Sequence, residues 1–124
     1  FYTVPPCRIL DTRNPAGPLG GPALAANALR SIDLAGQCGI PAAAQAVSLN
    51  LTVTGATGTG DLRAFAGGTT PPLATALSFR AGRTQANNAV LPVAQDGHAT
   101  LTVQPEIPAS GTVHLIVDVN GYFQ

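Results

Sequence analysis

Val47, Leu49, Leu51 and Val53 are apolar, and the residues between and after them, Ser48, Asn50, Thr52 and Thr54, are polar. A period of two puts successive side chains on opposite faces of a strand. An amphipathic helix would repeat every three to four positions, so this segment specifies a half-buried strand. The pattern returns near the end of the chain, where Val113, Leu115, Val117 and Val119 alternate within residues 112–122. Residues 47–55 and 113–121 share four identical positions at equal spacing, which is the common strand pattern rather than an internal repeat.

Shorter strand candidates fill the rest: residues 7–12, 29–34, 62–66, 76–79, 88–94 and 98–103. Turn formers separate them, including Asn14-Pro15, the Gly/Pro stretch 17–22, Gly55 to Gly60, Gly67-Gly68 and Pro71-Pro72. Asp96-Gly97, between Val93 and Leu101, is a pair that favours a tight hairpin. Helix signals are nearly absent. Residues 41–46 are alanine-rich but short and read as a turn or one helical turn. About eight or nine short strands with Gly/Pro turns predict an antiparallel β-sandwich or jelly roll in one domain over residues 1–124, with a small barrel as the second choice.

Only 10% of the residues are charged and the net charge is zero, against roughly 25% charged in an average domain. All six basic residues are arginine, and lysine, methionine and tryptophan are absent. Scattered arginines on a neutral chain give no electrostatic footprint for nucleic acid or anionic lipid. No apolar run reaches the roughly 18 residues that suggest a spanning helix, and 45% hydrophobic residues exceed what a disordered chain carries. Arginine without lysine, with abundant alanine, glycine and proline, has the flavour of a GC-rich bacterial genome. The chain opens at Phe1 without a signal peptide, as expected of a mature or excised form.

Cys7 and Cys38 are the two cysteines, and neither belongs to a Cys-x-x-Cys pair. A disulfide is the simplest pairing, with two buried free thiols as the alternative. A disulfide implies an oxidising compartment.

Chemistry-bearing residues are few. The histidines are His98 and His114, and no serine sits in a Gly-x-Ser-x-Gly elbow, which disfavours a hydrolase triad. Asp11 and Asp118 lie in apolar strand contexts near opposite ends of the chain. The expected role is a polar lock of Asp11, Arg13 and Asp118, with Arg8 as a further partner, fixing the terminal strands. A calcium site of Asp11, Asp118 and Asn120 lacks the six or more oxygens calcium takes, and a catalytic acid pair is the remaining alternative. Asn50, Asn87, Asn88 and Asn120 sit in or beside strands, where asparagine is disfavoured. They satisfy buried backbone groups or contact a ligand. Asn50-Leu51-Thr52 matches a glycosylation sequon, placed mid-strand. Arg63, Arg80 and Arg83, with Asn87 and Asn88, are the candidate contacts for an anion or glycan. Phe65 and Phe79 are expected in the core. Phe1, Tyr2, Tyr122 and Phe123 cluster at the two ends and are expected to pack together or against a neighbouring copy.

The run Pro5-Pro6-Cys7-Arg8-Ile9-Leu10-Asp11-Thr12-Arg13, with Gly17-Pro18-Leu19-Gly20-Gly21 after it, resembles the opening of an all-β module of secreted proteins from GC-rich bacteria. The likeness continues through Cys38-Gly39-Ile40-Pro41, the strand around Asn50, Leu77-Ser78-Phe79 and Asn88-Ala89-Val90. It closes on Ile116-Val117-Asp118-Val119-Asn120-Gly121-Tyr122-Phe123. The resemblance implies an extracellular location and supports the Cys7–Cys38 pairing; it brings no catalytic residues.

The expected function is therefore a non-catalytic extracellular structural module, without cofactor or metal, that packs with copies of itself or other extracellular proteins in a surface filament, sheath or adhesive appendage. A charge-poor surface and strands without lysine lack the usual guards against association. The alternative is a carbohydrate- or cell-wall-binding module of a secreted enzyme, with a cell-surface glycan as partner.

Overall fold

The computed structural model describes residues 1–72 and 75–124. Among these residues nine strands run in chain order: β1 (Tyr2–Asp11), β2 (Leu24–Ala25), β3 (Arg30–Asp33), β4 (Ala46–Thr54), β5 (Gly60–Ala66), β6 (Leu77–Phe79), β7 (Gln85–Pro92), β8 (Thr100–Glu106) and β9 (Thr112–Phe123). They form two antiparallel sheets packed as a β-sandwich. One has the order β1-β9-β4-β7, with β2 also paired to β9; the other has the order β3-β8-β5-β6. That is the strand order of a jelly roll. Apart from the short β2, only the β5–β6 connection stays within one sheet.

Alternation positions the core. Val47, Leu49, Leu51 and Val53 of β4 and Val113, Leu115, Val117 and Val119 of β9 are all fully buried, and they face Ile32, Leu62, Phe79, Leu101 and Val103 of the other sheet. Phe65 is buried as well.

The strand expectations hold with shifted ends. β1 begins earlier than residue 7, running through Pro5 and Pro6, which an edge strand tolerates. β2 carried no sequence pattern because two residues are too few to show a period. Residues 41–44 form a turn closed by the Ala44 N–H on the Pro41 carbonyl. The hairpin at Asp96-Gly97 is corrected. The turn exists, with Gly97 at φ +82° and the Asp96 carboxylate accepting from the His98 N–H and the Thr100 hydroxyl. Yet β7 and β8 belong to different sheets, so the turn carries the chain across the sandwich.

Cys7 and Cys38 form the disulfide, with Cα atoms 5.9 Å apart. It ties β1 to the loop before β4. Ile40, fully in the core, anchors the same loop, and the Gly36 N–H donates to the Ile40 carbonyl. For a loop of 31 residues the chain-entropy model gives roughly 3 to 4 kcal/mol of stabilisation.

Candidate functional site

β1 and β9 are antiparallel neighbours, with Tyr2 opposite Tyr122 and Arg8 opposite Asp118. This register brings the terminal aromatics together within the chain. The Tyr2 and Tyr122 rings stack with centroids 5.1 Å apart, and Phe1 lies against Phe123 at 4.7 Å. Phe1 and Tyr2 nonetheless stay 62% and 54% exposed. Gly121 makes room for them, since a Cβ there would run into the Phe1 ring.

The charged residues divide differently from the expected trio. Arg13 forks onto Asp11, two residues before it, through Nε and Nη2 at 2.9 and 2.8 Å, and its N–H donates to the same carboxylate. These bonds hold the Asp11 carboxyl well below its ordinary range, from 3.8 to about 2. Asp118 is held by Arg8 across the strand pair, Nε to Oδ1 at 2.9 Å, and Arg8 also reaches Asp11 at 3.8 Å. Arg8, not Arg13, therefore joins the terminal strands. Both carboxylates are thus engaged by arginine. Beside them, the buried Thr12 hydroxyl accepts the Leu115 N–H at 2.9 Å and lies 2.9 Å from His114 Nδ1. A hydroxyl that accepts from an amide has its own hydrogen left for His114.

Two recesses open on the surface. The larger, about 650 Å³, lies beside the Gly/Pro loop and is lined by Pro18, Leu24, Leu29, Arg30, Asp33 and Gln37 among others. Arg30 Nη2 lies 2.8 to 3.3 Å from the carbonyls of Gly17, Pro18 and Gly20 and pins the loop. Its guanidinium thus has a structural task. The smaller recess, about 440 Å³, gathers Asp61, Ser78, Phe79, Arg80, Gln85 and Glu106. Ser78 donates to Asp61, and Glu106 is paired with Arg63. Phe79 is in the core, so it offers no exposed ring for stacking. Arg83 and Asn88 lie outside the residues lining this recess, and the Asn87 amide donates to the Ala76 carbonyl. The five glycan candidates thus do not converge on one place. Among the described residues, no three of His, Cys, Asp and Glu cluster as a metal site.

The four sheet edges differ in what guards them. β1 carries Pro5, Pro6 and Arg8, and its register with β9 shifts twice. β3 has only four residues and includes Arg30 and Asp33. β6 has three residues. β7 has eight residues, Gln85-Ala86-Asn87-Asn88-Ala89-Val90-Leu91-Pro92, with no charge. Its pairing with β4 runs without a bulge from Ala46↔Pro92 to Val53↔Gln85. The Val93 N–H donates to the Gln45 carbonyl at 3.1 Å. Main-chain groups alternate sides along a strand, so the odd residues of β7 turn theirs toward β4. Ala86, Asn88 and Val90 turn theirs outward, and Pro92, which has no N–H to strand, shares that side. Val90 is 59% exposed.

Sequence reasoning did not single out Arg30, Thr12 with His114, or β7 as an edge. Each depends on which segments become neighbours, and the chain carries no local sign of that. The disulfide fits an oxidising, extracellular setting, and among the described residues no helix is long and apolar enough to cross a membrane. No protein-family model matches the chain, and no curated protein matches it.

Proposed function

We propose that this is a non-catalytic, secreted structural module that associates through its own sheet surface, as a subunit or repeated unit of a filament, sheath or adhesive appendage. The observation that carries the reading is β7, an eight-residue uncharged edge strand with outward main-chain groups; its one proline, Pro92, stands at its end, and among the described residues it has no bulge. Native proteins usually blunt such an edge with lysine, proline, a bulge or a covering element, and the other three edges here have such devices or are short. The low overall charge supports it, because little keeps two copies apart.

Light scattering over a concentration series tests the reading: mass should rise above that of the 12.5 kDa chain as concentration increases. A monodisperse monomer at millimolar concentration would overturn it. The second reading, a carbohydrate-binding module, draws on the hydrogen-bonding groups of the smaller recess, where Gln85 Oε1 is buried without a hydrogen-bond partner. A glycan array separates the two, since binding above background that is lost in Asp61→Ala favours the second.

A further inference from the structure

Resting on the reading of the chain as a self-associating module, we infer that the occupant of the β7 edge is β7 of a second copy, paired antiparallel about a two-fold axis. Three features of the edge select that occupant. The first is charge. A two-fold contact sets a strand against itself, so any charge on it would oppose its like, which destabilises a strand pair. Among the described residues, β7 is the one edge strand of more than three residues that has no charge, so it meets its own copy without repulsion.

The second feature is the placement of main-chain groups. A two-fold axis normal to the sheet keeps the inner faces of both copies on the same side and pairs residues of like parity. With Asn88 opposite Asn88 on the axis, Ala86 stands opposite Val90. The outward N–H groups of Ala86, Asn88 and Val90 then each meet an outward carbonyl of the other copy. Pro92, whose missing donor would weaken a longer pairing, falls at the end.

The third is side-chain fit. Ala86, Asn88 and Val90 form the solvent face of β7, while Gln85, Ala89 and Leu91 are half-buried on the inner face. Pairing puts the exposed Val90 side chain beside Ala86 and continues the inner face into the second copy. The result is one sheet crossing both copies, the strand-addition mode of recognition.

The symmetry also limits the assembly. A two-fold contact uses the same patch on both copies and closes. A fibre grown by sheet edges alone would need a second edge to pair as well, and Pro5, Pro6 and the register shifts interrupt the ladder of β1 while β3 and β6 have only four and three residues. Edge pairing therefore makes a dimer, and any longer assembly uses another surface.

Amide hydrogen exchange by NMR at low and high concentration, alongside sedimentation velocity, tests this on the intact chain. The expected result is a dimer in which the amides of Ala86, Asn88 and Val90 become protected as it forms. Asn88→Lys should raise the dimer dissociation constant more than about tenfold, since it sets two lysines opposite each other. The same charge at Thr3→Lys on β1 should leave that constant unchanged. Val90→Lys is the second variant should Asn88→Lys fold poorly. Association that leaves those amides unprotected, protects β1 as well, or survives both β7 variants overturns the inference while the module reading stands. Absence of association at any concentration overturns both.

Discussion

At the residue scale, single polar groups close the ends of β1. Asp11 is buried, and its carboxylate carries the Arg13 fork and backbone bond. Its folded pKa, about 2, lies below the usual 3.8. A depressed carboxylate contributes stability that is present above its unfolded pKa and lost as pH falls toward the folded one. Stability should therefore fall between about pH 4 and pH 2, with Asp96, lowered by Thr100 and the His98 amide, adding in the same direction. Urea midpoints at pH 5 and pH 2.5 check this. Asp11→Asn should lower stability at pH 5 and show a smaller drop between the two pH values; an unchanged drop would show that the acid sensitivity arises elsewhere. The sequence announced Asp11 by its apolar surroundings. It offered both Arg13 and Arg8 as partners but not which carboxylate each takes, because the Arg8–Asp118 pairing depends on the β1–β9 register rather than on spacing along the chain.

At the scale of elements, β4 and β9 were legible because they lie at the centre of their sheet, where one face is core and alternation is enforced. The ends of β7 and β8 lie two or three residues from where the sequence pattern puts them. β7 sits at an edge and is exposed over most of its length, so burial barely constrains its sequence. Thr100 and Thr102 of β8 are buried among apolar neighbours, which erases the alternation. β1 is also weakly held over part of its length. Its first half is exposed, and its ladder breaks between Thr3 and Cys7. The disulfide compensates at that break. Replacing both cysteines, Cys7→Ser with Cys38→Ser, should cost roughly 3 to 4 kcal/mol in chemical denaturation. Amide exchange should show the loss concentrated in β1 and the loop of residues 34–40. A loss spread evenly over β4 and β9 would show that the bridge acts on the whole sandwich instead.

For the whole molecule, strand count and turn spacing led to a sandwich or jelly roll, but the pairing could not be read. Almost every connection leaves one sheet for the other, so neighbours in sequence are seldom neighbours in space. The Asp96-Gly97 turn shows the limit. Its chemistry is that of a tight turn, and nothing local distinguishes a hairpin from a crossing. The same topology sets folding speed, since nearly all its strand pairings are distant in sequence. Refolding with the disulfide intact should take milliseconds to seconds, measurable by stopped-flow; completion within microseconds would show that local contacts dominate.

The stacked Tyr2–Tyr122 pair puts the first and last residues side by side. Chain attached at both ends would therefore leave from one spot, and the sandwich would hang as a pendant rather than sit in line. Tension across that spot would unzip β1 from β9 one bond at a time, the direction in which a strand pair resists least. The bridge at Cys7 then acts as a mechanical stop. On the β1 side, the residues before it peel away first, and beyond them the load passes through the bridge to the loop around Cys38.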